Sequence, residues 1–205
     1  MKPLEITLGA TSIVLFAGAV LGLAPELQLG SAPAPAGLKP YSLSERRGRA
    51  TYVDLGCAYC HSQQPRDKGQ APDEQRGWGR AATPGDYSYD RPHQLGTMRT
   101  GPDLLNIGVR QPSEDWHLLH LYQPRAVVPG SIMPSYPFLF VKKDRNLLYP
   151  GDRTLKVPPP YDEPGVAVVV TDEARDLVAY LKSLKRNYPT DELPPPVQAP
   201  EESRP

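Results

Sequence analysis

Nineteen residues from Ile6 to Ala24, ITLGATSIVLFAGAVLGLA, carry no charge. At helical rise they cover roughly 28 Å, close to the hydrocarbon thickness of a bilayer. A backbone placed there must hydrogen-bond to itself, so the run is expected to be a helix. The run is longer than a typical signal core, and the prolines around Ser31-Ala32-Pro33-Ala34 do not suit a cleavage site. The expectation is a retained, single-pass anchor in the lipid bilayer. Lys2 favours an N-terminus on the cytoplasmic side, with Glu5 offsetting part of that bias. Gly18 and Gly22 form a small-xxx-small pair, read either as a face that packs on another membrane helix or as incidental glycines.

Beyond the anchor the chain changes character. Its 26 prolines among 205 residues argue for long irregular connections rather than a large sheet or bundle. Lysine and arginine total 23 and so do aspartate and glutamate, so no basic field exists to recruit nucleic acid. Residues 26–40 read as a proline–alanine linker and residues 188–205 as a proline-rich disordered tail. The 41–187 stretch between them is the candidate domain.

Three helices are expected in it. Ser42 and Glu45 fit a capping box that opens a helix running to about Gly56. A second starts at a Ser113 cap, with Glu114 and Asp115 in its first turn, and must end by Gln123 because Pro124 follows. A third follows Thr171, with Ala174, Leu177, Val178, Leu181 and Leu184 on one face and Lys182, Lys185 and Arg186 near its end. The strand candidate is 166–170. The expected class is therefore mainly α, small and loop-rich, with a core thin enough to gain from an apolar cofactor.

The first of these helices delivers the chain into GCAYCHSQQ at 56–64. The chain has two cysteines, Cys57 and Cys60, with His61 directly after. Cys-x-x-Cys-His is the attachment pattern of c-type haem: two thiols add across two vinyl groups, and the adjacent histidine sits under the iron. Two other readings stay open. A zinc site needs four ligands, for which His117 and His120 are a possible second pair. A redox dithiol needs a strand before it and a helix after it, whereas here a helix precedes and a polar segment follows. One covalent haem c is the reading adopted, with the zinc-stabilised binding module as the alternative from another class.

For the second axial position the candidates are Met98, Met133, His93, His117 and His120. Met133 is preferred, because it lies in SIMPSYP, a loop stiffened by Pro134, as small cytochromes c present their axial methionine. Pro102, in RTGPDL, is assigned the second-shell role such proteins give a loop proline, its carbonyl accepting the imidazole N–H.

Several tracts together resemble subunit II of cbb3-type cytochrome c oxidases, a membrane-anchored mono-haem cytochrome c: GLKPYS at 37–42, YVDLGCAYCHSQ at 52–63, YDRPHQLGTMRTGPDL at 89–104 and EDWHLLHLYQPRAVVPGSIMPSYPFL at 114–139, with DLVAYLKSLK in the last helix. The resemblance implies a class I-like cytochrome c domain in which Cys57 and Cys60 hold the haem, His61 is the proximal ligand and Met133 the distal one. It further implies no catalysis by this chain alone. The subunit relays single electrons toward a catalytic haem–copper subunit, beside other cytochrome subunits, in a bacterial inner membrane with the haem domain on the periplasmic face. An anchored shuttle, or a subunit of a different electron-transfer complex, is the alternative.

Overall fold

The computed structural model describes residues 3–30, 32–96 and 98–188. The tail expected from residue 188 onward lies outside them apart from Tyr188. The chain divides into two compact units. One holds residues up to 38 together with 83–93, and the other holds 39–82 and 94–188.

In the first unit, helix α1 (Pro3–Gly18) passes through a π-helical turn (Ala19–Leu23) into α2 (Ala24–Gly30). The wide turn has a local cause. Pro25 has no N–H to offer and its ring crowds the carbonyl four residues back, and just before it the Ala24 N–H bonds to Ala19. The apolar helix Pro3–Leu27 has 25 residues, and an 18-residue window within it has a mean hydropathy of 2.1 with none of that window buried. Its length of roughly 38 Å exceeds the hydrocarbon core, so it is long and apolar enough to span a bilayer with tilt. The tract expected as a linker is helical to Gly30 and then turns, with Leu38 N bonded to Pro35 O at 2.9 Å and both residues buried. A 3-10 turn at Pro84–Tyr87 in the same unit is opened by Thr83, whose amide and hydroxyl both donate to Asp86.

The second unit is built on two crossing helices. Ser42 and Glu45 cap each other's backbone and start α3 (Leu43–Asp54). Thr171 caps α6 (Asp172–Ser183), accepting from Ala174 N at 3.2 Å and donating to Leu139 O at 2.7 Å. The two helices pack closely because Gly48 faces the Asp176 backbone, where a Cβ would fall 1.8 Å from the carbonyl oxygen. Above that crossing the Asp176 carboxylate accepts from Arg47 Nε and Ser44 Oγ, each at 2.5 Å. Leu177, Val178, Tyr180 and Leu184 are fully buried against Tyr52, Leu118 and Leu139. Each such side chain is worth about 1.5–3 kcal/mol of transfer free energy. Tyr180 meets the rings of Tyr41 and Tyr52 edge-on at 5.6 and 5.4 Å.

Between those helices run a single turn, α4 (Ile107–Arg110), and α5 (Glu114–Tyr122). Ser113 accepts from Trp116 N at 3.2 Å to start α5, and Pro124 follows its C-cap, Gln123. The mainly-α expectation needs correction. Strands β1 (Phe140–Asp144), β2 (Thr154–Leu155) and β3 (Val166–Val170) form an antiparallel sheet in the order β1-β3-β2, pairing Phe140 with Val170 and Thr154 with Val169. The unit is a small mixed helix/sheet domain. Its central strand shows no alternation because four of its five residues are buried, which is why it reads so weakly in sequence.

Candidate haem site

Helix α3 ends at Asp54, and the left-handed Gly56 turns the chain into a 3-10 turn at Cys57–Tyr59. Cys60 N and His61 N both return to Cys57 O, at 3.1 and 3.0 Å, so the Cys-x-x-Cys-His stretch is one tight coil. Two adjoining hollows of about 1000 and 1030 Å³, open mouths included, flank it. They share Cys57, His61, Pro102, Trp116, His120 and Met133 in their walls. Leu104, from the loop before α4, completes an apolar floor with Ile107, Leu121, Leu177 and Leu181 of α4, α5 and α6. A largely apolar cleft of this size with few polar groups is the form a cofactor site takes.

His61 Nδ1 lies 2.7 Å from the Pro102 carbonyl oxygen. That oxygen can only accept, so Nδ1 carries the proton and Nε2 keeps its lone pair. Burial lowers the His61 pKa most, the Pro102 bond and Asp103 oppose, and Arg110 adds to the lowering; the net effect keeps the ring neutral. Glycine is required at 101, since a Cβ there would stand 2.2 Å from His61 Cε1. The Cys57 thiol is pushed up to about 11, chiefly by burial, and stays protonated at neutral pH.

The loops on either side of the imidazole are clamped. Arg99 donates to Asp73 at 2.7 Å, to Gln64 O at 2.7 Å and to Ser62 Oγ at 3.0 Å, and its guanidinium lies 5.3 Å from the Trp78 ring. Asp103 accepts from Ser62 Oγ at 2.6 Å, Gln64 N at 2.7 Å and Leu105 N at 2.9 Å. Burial raises the Asp103 pKa, and these three bonds with Arg99 oppose the rise. Sequence reasoning took Pro102 from this tract and passed over Arg99, Gly101, Asp103 and Arg110. No spacing rule singles those residues out.

Of the other sequence candidates, Met133 is partly buried in the cleft wall and packs on the core, while Met98 is 59% exposed and lines neither hollow. His93 lies in the other unit, with Nδ1 3.6 Å from Glu26 Oε2. His117 Nε2 faces Gln111 O at 2.8 Å. His120 stacks on Trp116 at 4.6 Å, and burial together with the charges of His61 and His117 lowers its pKa to about 4, the Pro124 carbonyl opposing. Among the described residues no three His, Cys, Asp or Glu side chains gather into a metal-holding group, which does not favour the zinc alternative.

The residues fit a haem. Two thiols, one imidazole with a free Nε2 and one thioether border a single apolar cleft, and that donor set is the one c-type haem uses. No curated protein matches the chain. A family model described as "Cytochrome C oxidase, mono-heme subunit/FixO" matches residues 1–164, from the apolar helix through the motif tracts that end at 139 and on past β1 and β2, stopping short of β3. The chain belongs to that family, the mono-haem subunit II of cbb3-type cytochrome c oxidases.

Proposed function

We propose that this chain relays single electrons within a membrane-bound oxidase of the cbb3 type, through one haem c held in the cleft of a class I-like cytochrome domain. The observation that carries the reading is the His61–Pro102 pair, which leaves a neutral imidazole with a free Nε2 in an apolar cleft that Cys57, Cys60 and Met133 also border. Bound haem supplies a one-electron couple there, the iron cycling between ferric and ferrous. Cys57 and Cys60 would hold the group through thioethers, one S–H taken up by each vinyl C=C. His61 would be one iron ligand, its ring oriented by the Pro102 carbonyl. Met133 would be the other, a pair of ligands that favours a high potential. Leu104, Ile107, Leu121 and Leu177 keep water from the site.

The partners in this reading are the catalytic haem–copper subunit and the other cytochrome subunits of the complex. The family supports an oxidase assembly, and the apolar helix supports a place in the membrane. The proposed setting is a bacterial inner membrane with the cleft on the periplasmic side. A reducing, denaturing gel tests the covalent link. A haem-stained band at the chain's mass and a c-type pyridine haemochrome are expected. Colour fully extracted by acid acetone overturns the thioether assignment.

A further inference from the structure

The His61–Pro102 pair is one rung of a short ladder. Gly101 N donates to Cys60 O at 2.9 Å and Leu104 N to Ser62 O at 2.8 Å, one on each side of it. Ser62 follows His61 and Asp103 follows Pro102, and Ser62 Oγ donates across the ladder to the Asp103 carboxylate at 2.6 Å. That carboxylate is fully buried. Its Oδ1 faces the Leu105 N–H at 2.9 Å and its Oδ2 the Gln64 N–H at 2.7 Å. A proton on either oxygen would meet a donor, so this geometry holds the group ionised against the pull of burial.

Its positive partner is shared. Arg99 comes within 3.9 Å of Asp103 Oδ2 but lies closer, at 2.7 Å, to Asp73, a second fully buried carboxylate. Arg99 Nε also donates to Ser62 Oγ at 3.0 Å, so one hydroxyl links the guanidinium to the Asp103 carboxylate. Arg110 donates to the Asp103 backbone oxygen and acts on the carboxylate through space. The negative charge stands one residue from the carbonyl that orients the imidazole, and it favours positive charge on that ring. In a buried setting such a field is only weakly screened. We infer that Asp103 is a positioning residue that acts through His61, locking the ring's loop to the Pro102 loop and supplying a fixed negative charge that favours ferric iron and holds the potential down. Arg99 acts in the opposite sense, offsetting part of that charge. This rests on the haem reading above. The effect opposes the rise that a histidine–methionine pair gives.

The test is the midpoint potential of the full-length, haem-loaded chain in detergent at about pH 8, well above the ordinary aspartate range. Asp103→Asn should raise the reduced-to-oxidised ratio at fixed ambient potential about tenfold, or about 59 mV for one electron. Arg99→Gln should lower that ratio by a similar factor. Both should keep the wild-type ferric spectrum. A loosened loop would move the two variants the same way, so shifts of one sign, or no shift in either variant, overturn the assignment. Should Asp103→Asn yield no haem-loaded protein with that spectrum, Arg99→Lys and Arg99→Gln decide. A wild-type potential for Lys with a lowered one for Gln supports the assignment, and like potentials for both overturn it. A haem-stained gel of each protein keeps the two failures apart: wild type without covalent haem removes the haem reading and this inference with it.

Discussion

A methyl group at position 101 would collide with the ring it is meant to leave room for. The 2.2 Å separation from His61 Cε1 leaves no rotamer to absorb it, because the added carbon belongs to the backbone's own Cβ. Gly101→Ala should therefore push the imidazole off the Pro102 carbonyl. The expected outcome is a sharp loss of haem-stained protein at unchanged transcript level. A wild-type yield with a wild-type spectrum would show that the loop can shift instead. The methionines give a cleaner contrast, since Met133 borders the cleft and Met98 is exposed outside it. Met133→Ala should abolish the sulfur-to-iron charge-transfer band of the ferric protein and lower its potential, with Met98→Ala unchanged in both. The reverse result transfers the distal assignment to Met98.

At the scale of elements, the α3–α6 crossing is the contact on which the cleft floor depends, since Leu177 and Leu181 of α6 also line the cleft. Leu177 is 1% exposed, and Leu177→Ala should cost about 2–5 kcal/mol, read from urea unfolding of the full chain in detergent. The polar half of the crossing makes a pH prediction. Hydrogen bonding from Arg47 holds the Asp176 carboxyl below its usual value, with burial opposing and Ser44 assisting. A depressed folded-state pKa means the pair stabilises the fold above the ordinary aspartate range and loses that contribution as pH falls through it. Wild type should thus lose more stability than Asp176→Asn between about pH 5 and about pH 3. Equal losses would show that Arg47, itself 64% exposed, contributes nothing there. All three capped helices of this unit were legible in sequence because caps act locally: Ser42 with Glu45, Ser113 and Thr171 satisfy amides within three residues. Of the sheet only β3 was legible, as the candidate strand 166–170, and its partners were not. β1 is an edge strand whose Lys142 and Lys143 reach acidic partners from distant loops, and β2 is two residues long, so neither has a period to detect. The residues proposed as haem ligands were legible as motif members, whereas Arg99 and Arg110 matter only through what the fold brings beside them.

For the whole molecule the question is whether the apolar helix is part of the working protein or only its export signal. No described side chain of the stretch Pro3–Leu27 is buried, and burial of 25 largely apolar residues in lipid is effectively irreversible. As an anchor it would confine the cleft-bearing unit to one membrane surface, together with the proposed acceptor subunit, and so replace a three-dimensional search by a standing high local concentration. The gain disappears once the tether is cut, although the cleft itself should not notice: its lining residues all belong to the unit that starts at Lys39. A chain lacking residues 1–30, exported by a cleavable signal, should therefore mature into a soluble protein with covalent haem and an unaltered charge-transfer band. In membranes from a strain lacking the native chain, that fragment at ordinary expression should fail to restore oxygen consumption, and the full-length chain should restore it. Full oxygen consumption with the fragment would mean that the cleft-bearing unit works as a diffusing shuttle, and the subunit reading would fall while the haem chemistry stood.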